Sequence, residues 1–267
     1  MKARRIAALV LRQLYLLRGS PTRVLPLFAW IAIDVMLWGF ITRYLNAIAS
    51  PGFDFVPAML GAVLLWDFLS RVMQGVTMAF FEDVWSRNLL AVFASPLSRA
   101  EYVTGLVLTG ICTSLLGLVV MLVLASLAFG LSFMSYGLAI IPALGVLFLF
   151  GIALGVAGSA MVLRLGPAAE WLIWPLPAVL SPFASVFYPV TTLPGWMQPL
   201  ALALPPSYVF ESLRAITQGG QADYNALLWA LCLSLIYMAA SAAFFAHVHG
   251  VCVRSGLIAR YSAESVT

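Results

Sequence analysis

Residues 138–163 read LAIIPALGVLFLFGIALGVAGSAMVL, a run of 26 residues without a charge. An α-helix of about 20 apolar residues is long enough to cross the hydrocarbon core of a bilayer. The rest of the chain has the same character, since 63% of its 267 residues are hydrophobic and 9% are charged. Soluble domains average about 45–50% apolar and about 25% charged residues. This stretch is therefore predicted to span a membrane, and the composition of the whole chain is that of a membrane protein.

Five more segments meet the same criterion, which gives six predicted spans. They cover about 24–45, 56–81, 101–130, 138–163, 170–188 and 226–252. We therefore predict an all-α integral membrane protein with one transmembrane domain over residues 1–267. Within it, 1–20 form an interface helix, 24–252 the six-span bundle and 253–267 a tail on the same side as the N-terminus.

The N-terminal helix is predicted to be amphipathic and to lie in the headgroup plane of the membrane. The alternative is a positively charged flank of the first span without a separate role. The apolar stripe consists of Ile6, Val10, Leu14 and Leu17, and the polar side of Lys2, Arg5, Arg12 and Gln13.

The basic residues predict that both termini are cytosolic, because cytosolic loops are enriched in Lys and Arg. With the N-terminus inside, only Arg43 and Arg214 fall outside, against eleven basic residues inside. The eleven are Lys2, Arg4, Arg5, Arg12, Arg18, Arg23, Arg87, Arg99, Arg164, Arg254 and Arg260.

Two connections are unusual. The first, Glu82–Leu97, begins with charges, continues as an apolar helical stretch and ends at Ser95-Pro96, where proline must end or bend a helix. A plain tether does not need apolar residues, so we expect one helical face to contact another surface. That face would consist of Trp85, Leu89, Val92 and Phe93.

The second connection runs from Tyr188 to Asn225 and is apolar but interrupted by five prolines. It is too broken for a normal span and too apolar for a solvated loop. We predict a pair of short helices that dip partway into the outer leaflet, packed against protein.

Residues for catalysis are not apparent. Lys2 is the only lysine, so the ATP-binding motif GxxxxGK[ST] cannot occur. The only histidines, His247 and His249, point to opposite sides of a helix and cannot easily share a metal. The sequence lacks a basic patch interleaved with aromatic residues, so it does not suggest binding to nucleic acid. We expect no catalytic residue, metal or bound cofactor in this chain.

Charges inside a membrane are costly and commonly functional, and three ionisable residues in the predicted spans are good candidates for a function. Asp34 lies in span 1, and Asp67 and Arg71 lie one turn apart in span 2, so the three can meet. They either line a transport path or only lock the two spans together. In span 4, Gly151 and Gly155 form a GxxxG pattern that permits close helix packing.

Taken in order, the two unusual connections resemble the membrane subunits of the type-2 ABC exporter family (ABC-2 type permeases). Residues 87–97, RNLLAVFASPL, resemble the family's segment before span 3, in which an Asn or Gly precedes an apolar run and a Ser-Pro or Ala-Pro. Residues 185–196, SVFYPVTTLPGW, match the pattern FYP…LP.W. Residues 205–214, PPSYVFESLR, resemble NP.tY..e..R, with Pro205 in place of the common Asn.

The resemblance implies a permease dimer, of two identical or homologous chains, in a bacterial inner membrane above two cytosolic ATPases that bind ATP and Mg²⁺. It implies that faces of spans 1, 2 and 5 line the path at the dimer axis. The ATPase-coupling residues would be Glu82, Trp85, Arg87, Asn88, Leu89, Val92, Phe93 and Pro96. The external helices that cap the exit would include Tyr188, Pro189, Pro194, Trp196, Tyr208, Glu211 and Arg214.

An apolar path favours export of a lipid-linked or amphipathic substrate. Charged substitutions at Leu89 or Val92 are expected to weaken ATPase association and to leave membrane insertion intact. One alternative is an ion-coupled secondary transporter, which should show broken helices in both halves of the chain. Another is a lipid-modifying enzyme, for which Glu211, Arg214 and Asp223 are the only outer polar candidates, without a reaction geometry. Glu211 and Arg214 otherwise form a surface ion pair of little energetic value.

Overall fold

The computed structural model describes residues 3–19, 21–48 and 56–257, and these residues are mainly helical, without a β-strand. The all-α prediction is confirmed. The predictions that involve Lys2, Arg260 and the tail beyond residue 257 lie outside the described residues. The helices are α1 (Ala3–Arg18), α2 (Pro21–Ile48), α3 (Gly61–Trp85), α4 (Leu89–Ala94), α5 (Arg99–Phe129), α6 (Ile140–Leu165), α7 (Glu170–Ile173), α8 (Leu176–Leu180), α9 (Gln198–Leu202), α10 (Pro205–Thr217) and α11 (Tyr224–Arg254).

Five helical segments of the described chain are long and apolar enough to cross a membrane. They agree with five of the six predicted spans, and the protein is a multi-pass membrane protein. The segments are Phe28–Ile48, Val56–Trp85, Arg99–Phe129, Phe133–Leu165 and Tyr224–Arg254.

The predicted fifth span, 170–188, is not one continuous helix, so a sixth spanning helix is not confirmed. α7 ends at Ile173, α8 ends at Leu180, and turns follow. Pro175 and Pro177 explain the break, because proline has no amide hydrogen to donate within a helix and its ring clashes with the preceding turn. The segment has the composition of a span but lacks the backbone of one.

The long helices form a row in the order α2, α5, α3, α6 and α11, in which each packs mainly on its neighbours. α3 lies in the middle, and α3 and α6 are the most buried of the five. α1 packs on α5, and α10 packs on α6 and α11. The helices of the row run side by side, so the bundle has two ends along the helix axes. We call the end that holds α1, α4 and the last turn of α11 the base. The opposite end, where α3, α6 and α11 begin, is the apex.

The two glycines of the predicted packing pattern bring α6 against α3. A Cβ atom added at Gly151 would lie 2.9 Å from the carbonyl oxygen of Leu69, and one added at Gly155 would lie 2.8 Å from that of Met73. Real Cβ atoms essentially never approach other atoms within 3.0 Å. The predicted close packing is confirmed, and it requires that both positions carry glycine, which has no side chain.

The short helices α9 and α10 enter the bundle from the apex, as the broken connection predicts. Tyr237 lies 13 residues into α11, roughly 20 Å along its axis at 1.5 Å per residue. Its hydroxyl donates to the carbonyl oxygen of Ala203, between α9 and α10, at 3.1 Å. Tyr237 therefore supplies a hydrogen-bond partner to a carbonyl oxygen at the break, as backbone at membrane depth requires.

Candidate functional site

The segment between α3 and α5 is compact and sits at the base. α3 continues to Trp85, so Glu82 and Trp85 belong to a helix rather than to a loop. A turn at 86–88 leads into α4, and α5 then begins at a capping box. There, Ser98 Oγ accepts from the Glu101 amide at 3.2 Å and Glu101 Oε2 accepts from the Ser98 amide at 3.0 Å. We call residues 82–97 the basal segment.

The side of α4 that carries Leu89 and Val92 faces the chain's own core, whereas Trp85 of the same predicted contact face is exposed. Leu89 and Val92 are buried in the chain's own core. The Phe93 ring meets Tyr102 and His249, with ring centroids 5.2 and 4.7 Å apart. Charges at Leu89 or Val92 would thus disrupt this packing, since burying an unpaired charge is costly. The loss of ATPase association in such variants stays a prediction, and their burial means that the same charges would also disturb the fold of the base.

The opposite side of the basal segment is the side open to a partner. Arg87, Asn88, Ala91 and Pro96 are exposed. Arg87 has a φ of 52°, a left-handed conformation that residues other than glycine seldom adopt and that commonly marks functional sites. We call residues 86–88, with Ala91, the basal tip.

The polar side of α1 binds the base of the bundle instead of facing headgroups. Arg12 Nη2 lies 2.5 Å from an oxygen of Asp83, and the Tyr102 hydroxyl donates to the other at 2.8 Å. Gln13 Nε2 donates to the carbonyl oxygen of Ala79 at 3.1 Å. Asp83 is only 2% exposed, and a buried charge requires such partners. The amphipathic helix is therefore present, with its polar side directed into protein.

A second contact fixes the start of α1. Arg5 Nη1 lies 3.4 Å from Glu101 Oε2 and also donates to the carbonyl oxygen of Pro96. Leu11, Leu14 and Tyr15 are exposed on the other side of the helix. α1 therefore joins the end of α3 to the start of α5, and its apolar side is free to contact lipid.

The three intramembrane charges meet, as predicted. Arg71 Nε lies 2.6 Å from Asp67 Oδ2, and Arg71 Nη2 lies 3.4 Å from Asp34 Oδ2. The Asp34 side chain is 35% exposed, against 13% for Arg71. The cluster holds two acids and one base, and its more exposed acid lies on α2, an outer helix of the row. A role in transport remains a prediction.

The ion pair near the apex has further partners in the backbone. Arg214 Nη1 and Glu211 Oε1 lie 3.0 Å apart. Glu211 Oε1 also accepts from the Val190 amide at 2.7 Å, and Arg214 Nη2 donates to the Ser185 carbonyl oxygen at 2.7 Å. Ser185 is buried and has a φ of 54°. The pair therefore holds the strained stretch from Ser185 to Val190 against α10.

The other residues that were predicted to be external mainly close turns. The Tyr188 hydroxyl donates to the Pro182 carbonyl oxygen at 2.7 Å, and the Tyr208 hydroxyl donates to that of Leu202 at 2.8 Å. Trp196 is exposed. The carbonyl oxygens of Pro189 and Pro194 accept from the amides of Thr192 and Met197 at 3.0 and 2.8 Å.

The chain is similar over most of its length to a known protein family. A family profile described as "ABC-2 family transporter protein" matches residues 42–247, well over half of the 267 residues. The chain belongs to the ABC-2 transporter family. No curated protein matches it. An ABC-2 permease is a membrane subunit of an ABC transporter, and membership implies an ABC ATPase as partner.

The matched range includes the basal segment and the apical stretch up to Arg214, whereas α1 and Asp34 precede it. Several residues of the permease that hold the base together were not singled out from sequence. Ser98 and Glu101 carried a readable signal, the S-x-x-E spacing of a capping box. Asp83 and its partner Arg12 are 71 positions apart, and no local pattern connects them.

Proposed function

We propose that this permease is the membrane-spanning subunit of an ATP-driven exporter that moves a lipid-linked or amphipathic substrate outward. The base lies in the cytosol with both termini, and the apex faces outward from a bacterial inner membrane. Two copies of the chain form the translocating unit. Two copies of a separate ATPase bind beneath them and carry ATP and Mg²⁺.

The observation that carries this proposal is the way in which the basal segment packs on the bundle. Its inner side is packed through Leu89, Val92 and Phe93, while its tip is exposed. A push on the tip is therefore passed to α3 and α5 instead of turning α4 alone. ATP hydrolysis in a partner can shift a transporter between two arrangements only through such a mechanical contact.

The apolar surface supports the choice of substrate class. Large apolar side chains are exposed along α2, α5 and α11, and ionisable residues at membrane depth are few. A substrate with a lipid portion keeps that portion in the bilayer while a polar head crosses beside the protein. Amphipathic compounds should therefore stimulate ATP hydrolysis by the assembled complex; stimulation by small hydrophilic solutes alone would contradict this choice.

The test of the permease assignment is co-purification. The tagged chain is extracted from native membranes in mild detergent, and the proteins that accompany it are identified. We expect a soluble protein with a Walker A motif in equal molar amount. Ala91→Asp, which adds a charge to the exposed side of α4, should release that protein. Thr191→Asp, an exposed site near the apex, is the matched control and should retain it.

The two parts of the proposal fail separately. If the unaltered chain is recovered folded but alone, the chain is a self-sufficient transporter, and Asp34 and Asp67 become the residues to test. If the ATPase accompanies the chain but Ala91→Asp retains it as well as Thr191→Asp does, docking does not use the basal tip.

A further inference from the structure

Three aromatic rings are stacked at the base, on the side of α3 away from α1. Phe81 lies between two tryptophans. Its ring centroid is 5.4 Å from that of Trp85 and 6.5 Å from that of Trp174, and the interplanar angles are 15° and 23°. Phe81 and Trp85 are one turn apart on α3, whereas Trp174 directly follows α7.

One carboxylate joins the two outer rings. Glu170 Oε2 accepts from Trp85 Nε1 at 3.2 Å, and Glu170 Oε1 accepts from Trp174 Nε1 at 3.2 Å. Each indole has one N–H to donate and a carboxylate has two acceptor oxygens, so both donors are satisfied by a single side chain. Hydrogen bonds to a charged acceptor are stronger than those between neutral groups. We call Glu170 and the three rings the aromatic clamp.

The clamp lies between two parts of the chain with different mechanics. Trp85 ends α3 and is the residue before the basal tip. Glu170 begins α7, the first piece of the broken segment 170–180. α6 ends at Leu165 and Gly166 has a φ of 101°, so no continuous helix joins α6 to the broken segment. The clamp instead connects it by side chains to the helix that leads into the basal tip.

We propose that Glu170 is a positioning residue that passes movement of the basal segment to the broken segment 170–180. This inference rests on the proposed function, in which an ATPase moves the basal tip. The two bonds from one carboxylate fix the angle between the ends of α3 and α7, and the stacked rings fix their distance. A displacement of Trp85 thus displaces Trp174 and α8 beyond it.

The test follows the position of α8 as nucleotide binds. The native cysteines, Cys112, Cys232 and Cys252, are replaced by serine, and Val179→Cys on the exposed side of α8 carries an environment-sensitive fluorophore. The permease and its co-purified ATPase are placed in lipid nanodiscs. Emission is compared without nucleotide and after trapping with ATP and vanadate.

The variants separate the hydrogen bonds from the packing. Trp174→Phe keeps a ring and removes the N–H donor, Glu170→Ala removes both acceptors, and Glu170→Gln keeps one. Trp171→Phe is the matched control, because Trp171 lies beside Glu170 in α7 but is 81% exposed. With the clamp intact and in Trp171→Phe we expect a nucleotide-dependent emission shift. Trp174→Phe and Glu170→Ala should reduce it at least twofold, and Glu170→Gln by less.

A purely structural role for Glu170 would lower thermal stability and leave the emission shift of folded complexes unchanged. Equal shifts in Trp174→Phe and the control, with the ATPase bound in both, would therefore overturn the inference. The absence of a shift with an intact clamp and a bound ATPase would also overturn it, and the proposed function would stand. If no ATPase binds the unaltered chain, the proposed function fails and this inference fails with it.

Discussion

Arg71 is shared unequally between two carboxylates. Its bond to Asp67 is 2.6 Å long and lies within one helix, whereas its contact with Asp34 on α2 is 3.4 Å long. Either a locking or a path-lining role requires the arginine, because without it two acids face each other at membrane depth. The two roles differ in what the loss of the Asp34 carboxylate does.

Replacing Arg71 tests how far the cluster supports the fold. Arg71→Gln should destabilise the protein by about 3 kcal/mol, because it leaves carboxylates without a counter-charge. The double variant Asp67→Asn with Arg71→Gln should be more stable than Arg71→Gln alone. The measurement is thermal unfolding in detergent, followed by size-exclusion chromatography after heating. A double variant less stable than the single one would contradict this account.

The variant Asp34→Asn then separates the two roles, since the introduced amide oxygen can still accept a hydrogen bond from Arg71. If the cluster is only a lock, export by the assembled complex should stay close to that of the unaltered chain. If Asp34 lines the path, export should fall while thermal stability changes little.

At the scale of elements, the contact between α3 and α6 depends on two positions of α6 that have no side chain. Gly151 and Gly155 lie one turn apart on the side that faces α3, and backbone atoms of α3 occupy the space where Cβ atoms would stand. Side chains of α3 such as Val72 and Val76 fill the remainder. Van der Waals packing of this kind is the main attraction between helices in a bilayer.

One methyl group should therefore be destabilising on this side of α6 and harmless elsewhere on the same helix. Gly155→Ala should lower stability by about 1–3 kcal/mol, because its Cβ would meet the Met73 carbonyl oxygen. Gly145→Ala is the control, since nothing lies within 4 Å of a Cβ at that position. It should be neutral or stabilising by up to about 1 kcal/mol, as alanine favours a helix over glycine. Thermal unfolding of both variants, measured side by side, decides the matter, and equal midpoints would refute it.

The sequence allowed the spanning helices to be predicted because a bilayer demands long apolar runs, and the run at 138–163 satisfies that demand by itself. It did not reveal the direction in which short elements face. Leu89 and Val92 share a side of α4 by helical spacing, but the same spacing suits a buried side and a docking side. Arg12 and Gln13 likewise fall on the polar side of α1, and their partners Asp83 and Ala79 come from distant parts of the sequence.

The segment 170–188 misled for a different reason. Its hydropathy is that of a span, and hydropathy does not register Pro175 and Pro177, which remove amide donors in the middle of it. The cluster of Asp34, Asp67 and Arg71 was predictable because two of its members are i, i+4 neighbours and the third is on the preceding span. Of the two hydrogen bonds of Glu170, only the one to Trp174 could have been predicted, because these residues are i, i+4 neighbours. Trp85 is distant in the sequence, and no local pattern connects it to Glu170.

At the scale of the whole molecule, the base and the apex should lie on opposite sides of the membrane. In a background without native cysteines, Thr191→Cys should react with a membrane-impermeant maleimide on intact cells. Asn88→Cys, exposed at the basal tip, should react only after the membrane is opened. Labelling of Asn88→Cys on intact cells would contradict the predicted orientation, because the basal tip would then face away from the cytosol, where ATP is available.

The row of five long helices has a consequence for a cell that makes too much of this subunit. Within residues 3–19, 21–48 and 56–257, helices in a row enclose no lumen of the kind that a ring of helices would enclose, so one copy does not form a channel. Ions would find no route through an orphan copy, and liposomes that contain the chain alone should retain a trapped dye. Surplus subunits should therefore leave the membrane potential intact, and their expression need not match that of the partner closely.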